Sequence, residues 1–240
     1  MARSIFAPAA ALIAVTALAG ASASSATAYY LNPDQVDLVQ ILGPPPAPDS
    51  ARGKADLQAV LDMQRHRTPA EVKSVRADEE LSVFRFADVI GPRFTPENLP
   101  FAAKFFARVV ADDEHAIDPA KDYFHRQRPY AGDREVKPAV SAMNGDSYPS
   151  GHATFAYSVA ILLAEMVPEK AAAIFNRADR FAENRVIGGV HYPTDIRAGQ
   201  ISGSVIDNVL LHEPRFEADF ARATAEVRHA LGLSPAPQSH

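Results

Sequence analysis

Residues 148–152 read Tyr-Pro-Ser-Gly-His and lead directly into the apolar run ATFAYSVAILLAEMV at 153–167. Because this run is apolar on nearly all sides, it predicts a helix buried at the centre of a helical protein. Ser150 is a favourable N-cap, since its hydroxyl can accept hydrogen bonds from N–H groups of the first turn. We therefore place the start of a central helix at Ser150 and expect the rest of the chain to pack around it.

The start of this helix also predicts an anion site. N–H groups of a first helical turn have no partner within the helix and attract negative charge, and Gly151 allows a ligand to approach closely. His152 stands beside them with a side chain that exchanges a proton near neutral pH. By itself this motif is a weak signal, and its weight depends on the flanking sequence.

Residues 1–28 are predicted to be a secretory signal peptide. Arg3 precedes an apolar, alanine-rich run at 5–20, and the small residues at 26–28 suit cleavage before the next residue, with 21–23 as a competing site. The alternative is a membrane anchor. It is disfavoured because the run is shorter than the ~20 residues that a spanning helix needs and is followed by small and polar residues.

Composition limits what the mature chain can do. The formal charge of −5 argues against a nucleic-acid-binding surface, which needs a basic stripe. The chain has no cysteine, which excludes disulfides and thiol chemistry. Export without disulfides fits the bacterial periplasm. No later segment is apolar enough to span a bilayer, so we expect no membrane insertion once the signal is removed.

Prolines and glycines divide the remaining sequence into segments of helical periodicity. Predicted helices cover residues 32–42, 51–66, 69–90, 96–115, 118–128, 168–188, 193–211 and 214–231. Residues 43–48 are predicted to be extended, and residues 130–149 are predicted to be a loop. The sequence shows no clear strand pattern and no internal repeat.

The run Asp112-Asp113-Glu114-His115 contains residue types that can bind metals, but we interpret it as the solvated end of a helix. The sequence has no His-Glu-x-x-His motif and no EF-hand spacing, so it predicts no metal site. His125 lies between two cations, which leaves its role open. The other histidines assigned to the surface are His66, His115, His212, His229 and the terminal His240.

Three cations stand out by their positions. Arg185 falls on the apolar stripe of the helix predicted at 168–188, so its guanidinium must be paired, cap a helix or line a cavity. Lys121 and Arg128 are seven residues apart, or two helical turns, and share a face if the segment is helical. A solvated basic face that includes Arg126 is the alternative.

His191 and Asp195 are four residues apart around a proline that suits the first position of a helix. A carboxylate on one ring nitrogen fixes the tautomer of a histidine and makes the other nitrogen more basic. The alternative is a helix-capping aspartate with an incidental histidine.

Together, the cations, the helix start and the two histidines match phosphoryl transfer through a covalent phosphohistidine. Cations and N–H groups would hold the phosphate oxygens, one histidine would attack phosphorus, and the other would protonate the leaving oxygen.

The chain resembles the PAP2 phosphatase superfamily, which includes the vanadium-dependent haloperoxidases. Its three motifs occur in order as Lys121-x6-Arg128-Pro129, Pro149-Ser150-Gly151-His152 and Arg185-x5-His191-x3-Asp195. The surrounding sequence is most similar to the class A bacterial nonspecific acid phosphatases. The residues that carry this likeness are Tyr30-Leu31, Pro44–Pro46, Asp49-Ser50, Asn144-Gly145 and Ala164-Glu165.

The resemblance implies an all-α, single-domain helical bundle over residues 29–240. It implies a periplasmic, metal-independent and cofactor-independent acid phosphatase that hydrolyses phosphate monoesters, releases inorganic phosphate and forms a homo-oligomer. The residue roles carried over are a nucleophile at His191, its orienting partner at Asp195, a general acid and base at His152, and phosphate ligands at Lys121, Arg128, Ser150, Gly151 and Arg185.

One departure from the family pattern is visible, because Asn184 stands where the family usually has serine. The resemblance therefore leaves open whether the side chain before Arg185 makes the supporting contact that is expected of the usual serine. A vanadate-dependent haloperoxidase and a noncatalytic phosphate-binding helical protein are the alternative functions.

Overall fold

The computed structural model describes residues 28–235, and within that range the chain contains no β-strand. The α-helices of this part of the chain are α1 (Leu38–Leu42), α2 (Ala51–His66), α3 (Pro69–Ala77), α4 (Ala87–Ile90), α5 (Pro100–Phe124), α6 (Pro129–Gly132), α7 (Gly151–Met166), α8 (Ala171–Ile187), α9 (Pro193–Leu210) and α10 (Pro214–Leu231). The predicted all-α class is confirmed. Apart from its last residue, the predicted signal peptide at 1–28 lies outside the described residues. None of the described helices is long and apolar enough to cross a membrane.

Helix α7 is the central helix that the sequence predicts. The Ser150 hydroxyl oxygen caps it by accepting a hydrogen bond from the Ala153 N–H at 3.3 Å. Buried residues occur on nearly all sides of the helix, because α5, α8, α9 and α10 all pack against it.

Helices α7 and α9 make the closest contact in the bundle. A Cβ atom at Gly199 would lie 2.5 Å from the Ser150 carbonyl oxygen, and one at Gly203 would lie 2.6 Å from the Thr154 carbonyl oxygen. Glycine is therefore required for this separation. The contact brings the first turn of α9 beside the start of α7, where the Ser150 N–H donates to the Asp195 carbonyl oxygen at 3.1 Å.

Helix α5 corrects two predictions. It is one helix rather than the pair predicted at 96–115 and 118–128, and Pro119 lies inside it. The buried residues Ala116 and Ala120 continue the apolar stripe across the proline. Burial on both sides of Pro119 thus offsets the loss of one backbone hydrogen bond.

The end of α5 lies earlier than the sequence predicts. Helix α5 stops at Phe124, and His125 follows in a left-handed conformation with φ 49°. Lys121 is therefore helical and Arg128 is not, so their predicted common helical face is wrong. His125 is an exposed cap residue, and its Nδ1 lies 3.1 Å from a carboxylate oxygen of Asp146.

The acidic run at 112–115 is not the solvated helix end that we expected. It lies in the middle of α5, where Asp112 accepts the Tyr30 N–H at 3.0 Å and Asp113 is 2% exposed. Residues 29–30 cover Asp112, whereas Asp113 faces α7 and α9, where its neighbours include Ser158 and Asp207. Among residues 28–235, no group of three or more histidine, cysteine or acidic side chains is placed to hold a metal ion.

Two other predicted helices are divided. The segment 32–42 forms a 3-10 turn at Pro33–Gln35 and then α1, because the side chain of Asp37 caps a new helix start. The segment 69–90 breaks after Ala77 and continues as a 3-10 turn at Val83–Phe86 and then α4. The remaining predicted helices agree with the structure to within a few residues.

Candidate active site

A cavity of about 240 Å³ opens at the start of α7, between this helix and α5. Predicted site residues that line it are Lys121, Arg128, Gly151, His152 and His191. The other three predicted site residues, Ser150, Arg185 and Asp195, are buried directly behind them. The structure therefore brings together all eight residues, which come from four separate parts of the sequence.

His191 is held by contacts on both ring nitrogens. Its Nδ1 lies 3.4 Å from an Asp195 carboxylate oxygen and 3.3 Å from the Ser147 hydroxyl oxygen. Its Nε2 lies 3.0 Å from Nη1 of Arg128, which can only donate. These partners assign the proton to Nδ1 and leave the Nε2 lone pair directed at a cation of the cavity.

The Asp195 carboxylate is fixed by three donors. One oxygen accepts from Nη1 of Arg126 at 2.6 Å, and the other accepts from the Ser147 hydroxyl at 2.6 Å and the Tyr192 N–H at 2.8 Å. Burial raises the pKa of the Asp195 carboxyl, and these three donors act in the opposite direction. With its position fixed in this way, the carboxylate can orient His191.

Arg126 is a residue of the site that the sequence analysis missed. Its side chain is only 10% exposed, and its Nη2 donates to Asp56 at 2.7 Å while its guanidinium lies over the Tyr192 ring at 4.1 Å. In the sequence it is one of several charged residues near Lys121, and it enters the prediction only through the alternative of a solvated basic face. Its burial depends on Asp56, which is far away in the chain.

Lys121 is a half-buried cation and Arg128 is a buried one, and both donate hydrogen bonds to neutral partners. The Lys121 ammonium donates to the carbonyl oxygens of Pro149 at 2.7 Å and Asp146 at 3.0 Å, and Nε of Arg128 donates to Gly145 at 3.0 Å. Burial, followed by repulsion from Arg128, lowers the pKa of Lys121 to about 8. Carbonyl oxygens do not neutralise these charges, so the cavity favours an anion.

Arg185 is the most strongly unsatisfied of the three cations. It is 1% exposed, and its Nε and Nη1 have no hydrogen-bond partner within the described part of the chain. Its Nη2 contacts only the sulfur of Met143, at 3.4 Å. Burial lowers the pKa of Arg185 to about 10. A guanidinium left in this condition is costly, and an oxyanion would supply the missing acceptors.

His152 is the second histidine that lines the cavity. Its Nε2 lies 3.2 Å from the main-chain carbonyl oxygen of Glu79, and its ring stacks on Phe181. Since a carbonyl only accepts, Nε2 carries a hydrogen and Nδ1 is the nitrogen that can exchange a proton. Burial, then Arg185 and His191, lower the pKa of His152 well below its usual value.

The first turn of α7 supplies uncharged donors. The Ser150 hydroxyl accepts from the Ala153 N–H, which leaves its own hydrogen free to donate to a ligand. Gly151 is the first helical residue, so its N–H has no partner within the helix. A Cβ atom at Gly151 would lie 3.1 Å from a methyl carbon of Ile117, so a side chain here would crowd the cavity.

Asn184 does not replace the family serine at the cavity. Its side-chain nitrogen donates to a carboxylate oxygen of Asp78 at 2.8 Å and to the Ser74 hydroxyl at 3.0 Å. The residue thus connects α8 to the end of α3.

Comparisons with known proteins agree with this geometry. Residues 103–216 match the PAP2 superfamily. An acid phosphatase of Zymomonas mobilis is 29% identical over 209 residues, which cover 84% of this chain and 79% of that protein. A non-specific acid phosphatase of Salmonella typhimurium is 27% identical over 222 residues, which cover 88% of both proteins.

A solved structure shares the fold. It is a bacterial vanadium-dependent iodoperoxidase, with a TM-score of 0.57 and 20% sequence identity over 71% of this chain. The match covers 52% of the iodoperoxidase, so this chain spans about half of its length. At this identity the likeness shows the fold alone.

Proposed function

This chain carries a PAP2 superfamily domain at residues 103–216, and from that premise we propose that it is an acid phosphatase acting on phosphate monoesters. The observation that carries the proposal is the position of the His191 Nε2 lone pair, which faces buried cations that lack an anionic partner. Similarity to two acid phosphatases over most of this chain supports the same reaction.

Substrate binding satisfies the donors of the cavity. The phosphate oxygens accept hydrogen bonds from Lys121, Arg128 and Arg185, and from the Ser150 hydroxyl and the Gly151 N–H. The cations exchange neutral carbonyl acceptors for charged ones, which strengthens each hydrogen bond. Because these side chains supply the positive charge, we propose that the enzyme requires no metal and no other cofactor.

In the first chemical step, Nε2 of His191 attacks phosphorus in line with the leaving oxygen. The P–N bond forms as the P–O bond to the leaving group breaks, and Nδ1 of His152 gives its proton to that oxygen. The Asp195 carboxylate stabilises the positive charge that develops on the His191 ring.

In the second step a water molecule releases the phosphate. Nδ1 of His152 takes a proton from the water, whose oxygen attacks phosphorus as the P–N bond breaks. The products are inorganic phosphate and neutral His191, and His152 is again protonated for the next cycle. Both histidines therefore return to their starting states.

The electrostatics of the site favour acidic pH. Burial, followed by Arg128, Lys121 and Arg185, lowers the pKa of His191, which keeps this nucleophile neutral in mildly acidic solution. His152 must be protonated to act as the acid, and its lowered pKa makes that form scarce at neutral pH. A bound phosphate dianion neutralises the cations and raises the pKa of His152. We expect a bell-shaped profile with its maximum at mildly acidic pH.

Substitution of the two histidines tests this mechanism. His191→Ala should abolish turnover and prevent the trapping of an acid-labile phosphoenzyme that wild type forms. His152→Ala should slow alkyl phosphates much more than para-nitrophenyl phosphate, because the latter leaves without a proton. His229→Ala, at an exposed position of α10, is the control and should behave as wild type. Full activity of His191→Ala would refute the assignment.

Two other functions make different predictions. A haloperoxidase, suggested by the fold shared with the iodoperoxidase, would oxidise halide with peroxide when loaded with vanadate, whereas a phosphatase would only be inhibited. A noncatalytic phosphate-binding protein would bind phosphate without hydrolysing para-nitrophenyl phosphate at pH of about 5 to 7, a range around the ordinary pKa of a free histidine.

Location and assembly complete the proposal. We propose export to the periplasm with removal of a signal peptide at 1–28, and a single homo-oligomeric acid phosphatase domain over 29–240. The apolar, alanine-rich N-terminal run with small residues after it supports export. Sequencing the N-terminus of protein from a periplasmic extract tests the cleavage site, and light scattering on purified protein tests the assembly.

A further inference from the structure

The carbonyl group that faces His152 belongs to a short non-helical segment, residues 78–82, which follows α3. Glu79 supplies this carbonyl, and the residue before it, Asp78, is completely buried. The position of the carbonyl therefore depends on what holds Asp78.

The Asp78 carboxylate lies at the centre of a buried polar cluster. One oxygen accepts from Nη2 of Arg177 at 2.6 Å and from Nη2 of Arg85 at 3.0 Å. The other accepts from Nη1 of Arg177 at 3.0 Å and from the Asn184 amide at 2.8 Å. Both oxygens are thus fully satisfied, which makes the cluster rigid.

This cluster reaches the catalytic cavity by two short covalent paths. Asp78 is bonded to Glu79, whose carbonyl meets His152, and Asn184 is bonded to Arg185, whose buried guanidinium is close enough to His152 to lower its pKa. The Asp78 N–H also donates to the Ser74 carbonyl oxygen at 3.0 Å, which anchors the segment to the last turn of α3.

We propose that Asp78 and Asn184 are positioning residues for His152: they hold the Glu79 carbonyl against Nε2, so that Nδ1 presents its proton to the leaving group. This inference rests on the proposed function. It also gives a role to the asparagine that replaces the usual serine of the family.

The Glu79 carbonyl is the contact that favours protonated His152. The charged or titratable groups that face His152 are Arg185 from α8, Arg128 from the loop after α5 and His191 from the loop before α9. All three lower the pKa of His152, whereas the hydrogen bond to the Glu79 carbonyl raises it. A displaced carbonyl should therefore reduce both the fraction of His152 that carries a proton and its alignment.

The test compares two substrates in Asn184→Ala. General-acid catalysis contributes about 10²- to 10⁴-fold for a poor leaving group, so a partial loss should lower kcat for an alkyl phosphate by about tenfold more than kcat for para-nitrophenyl phosphate. The alkaline limb of the alkyl phosphate pH profile should move to lower pH. Asn208→Ala, an exposed asparagine of α9, is the matched control and should change neither quantity.

Each outcome decides the inference. Equal loss for both substrates with an unmoved alkaline limb would show that the cluster is merely structural and would overturn the proposal. If Asn184→Ala does not fold, Asn184→Ser and Arg85→Lys disturb the same cluster more mildly and must change the substrate ratio in the same direction. A wild type without turnover of either substrate refutes the proposed function itself, and the inference falls with it.

Discussion

Arg185 shows how far a single residue can be interpreted. The apolar residues Ile174, Ala178, Phe181 and Ala182 predict that its side chain points inward, and the structure places it there with two nitrogens unpartnered among the described residues. Arg126 shows the limit, because nothing in its neighbours indicates that it is buried. The burial of Arg185 could be predicted from helical periodicity, whereas the burial of Arg126 depends on Asp56, which is distant in the chain.

Arg126 bridges two carboxylates, and a lysine could satisfy only one of them. We expect Arg126→Lys to lower kcat by about 10- to 100-fold, the size of effect seen when a residue that orients a metal ligand is lost, because Asp195 would no longer be held firmly behind His191. KM should change little, because Arg126 does not line the phosphate cavity. Steady-state kinetics measure both constants. The control is Arg65→Lys, at an exposed position of α2 where the arginine pairs with a single carboxylate; a similar loss in this variant would contradict the prediction.

At the scale of helices, the contact between α7 and α9 joins stability to the site. Gly199→Ala would place a methyl group 2.5 Å from the Ser150 carbonyl oxygen, and this main-chain atom cannot move independently of the helix start. We expect the free energy of unfolding to fall by about 1–3 kcal/mol, as in other overpacked contacts, and phosphate affinity to weaken. Denaturant unfolding and phosphate titration provide the measurements. Ser204→Ala, at an exposed position of α9, should leave both values unchanged.

Helices α5 and α9 face each other with a pair of buried acids. Burial raises the pKa values of Asp113 and Asp207 well above their usual range, and Asp113 raises that of Asp207 further. The Ser158 hydroxyl donates to one oxygen of Asp207 at 2.9 Å, while the other has no partner within the described residues. The pair was missed because the acidic run at 112–115 has the composition of a helix end.

This pair should make stability depend on pH. A group whose pKa is raised by folding stabilises the protein below its unfolded pKa of about 3.9, and that contribution is lost as pH rises towards the folded pKa. We therefore expect the pair to lower Tm as pH is raised above the unfolded pKa, and this dependence to be weaker in Asp207→Asn. Calorimetry at several pH values measures the slope. Asp122→Asn, at an exposed position of α5, should keep the wild-type slope, and an unchanged slope in Asp207→Asn would contradict the prediction.

At the scale of the whole molecule, a chain with a net charge of −5 concentrates buried positive charge in one cavity. The pKa values of His152 and His191 are lowered by folding, so the unfolded chain binds more protons below pH of about 6.5. Protonation of these two histidines therefore favours the unfolded chain, and the ligand-free protein becomes less stable as pH falls below about 6.5.

Inorganic phosphate should offset this loss. Binding to the folded state alone stabilises it by about 2.7 kcal/mol when phosphate is present at about 100 times its Kd. We expect phosphate to raise Tm in a concentration-dependent manner at mildly acidic pH, and to raise it much less in Arg185→Gln. Arg180→Gln, at an exposed position of the same helix, is the control and should respond as wild type does. An equal response in both variants would exclude Arg185 from the phosphate site.

The amino-acid sequence alone predicts the helical class, the central position of α7 and an anion site at its first turn. It could do so because burial of a helix and capping of its start are local properties, expressed in periodicity and in a few adjacent residues. Local sequence could not predict the unbroken α5 or the burial of Asp113, because packing against other segments overrode the local signals of Pro119 and of the acidic run.

The groups that act on the two histidines follow from the packing of the helices and not from local sequence. Ser147 and Arg126 fix the carboxylate behind His191, and a main-chain carbonyl at Glu79 faces His152. These contacts join segments far apart in the chain, and a main-chain carbonyl is the same in every residue. Local sequence patterns therefore do not predict these contacts, which form only when the helices pack together.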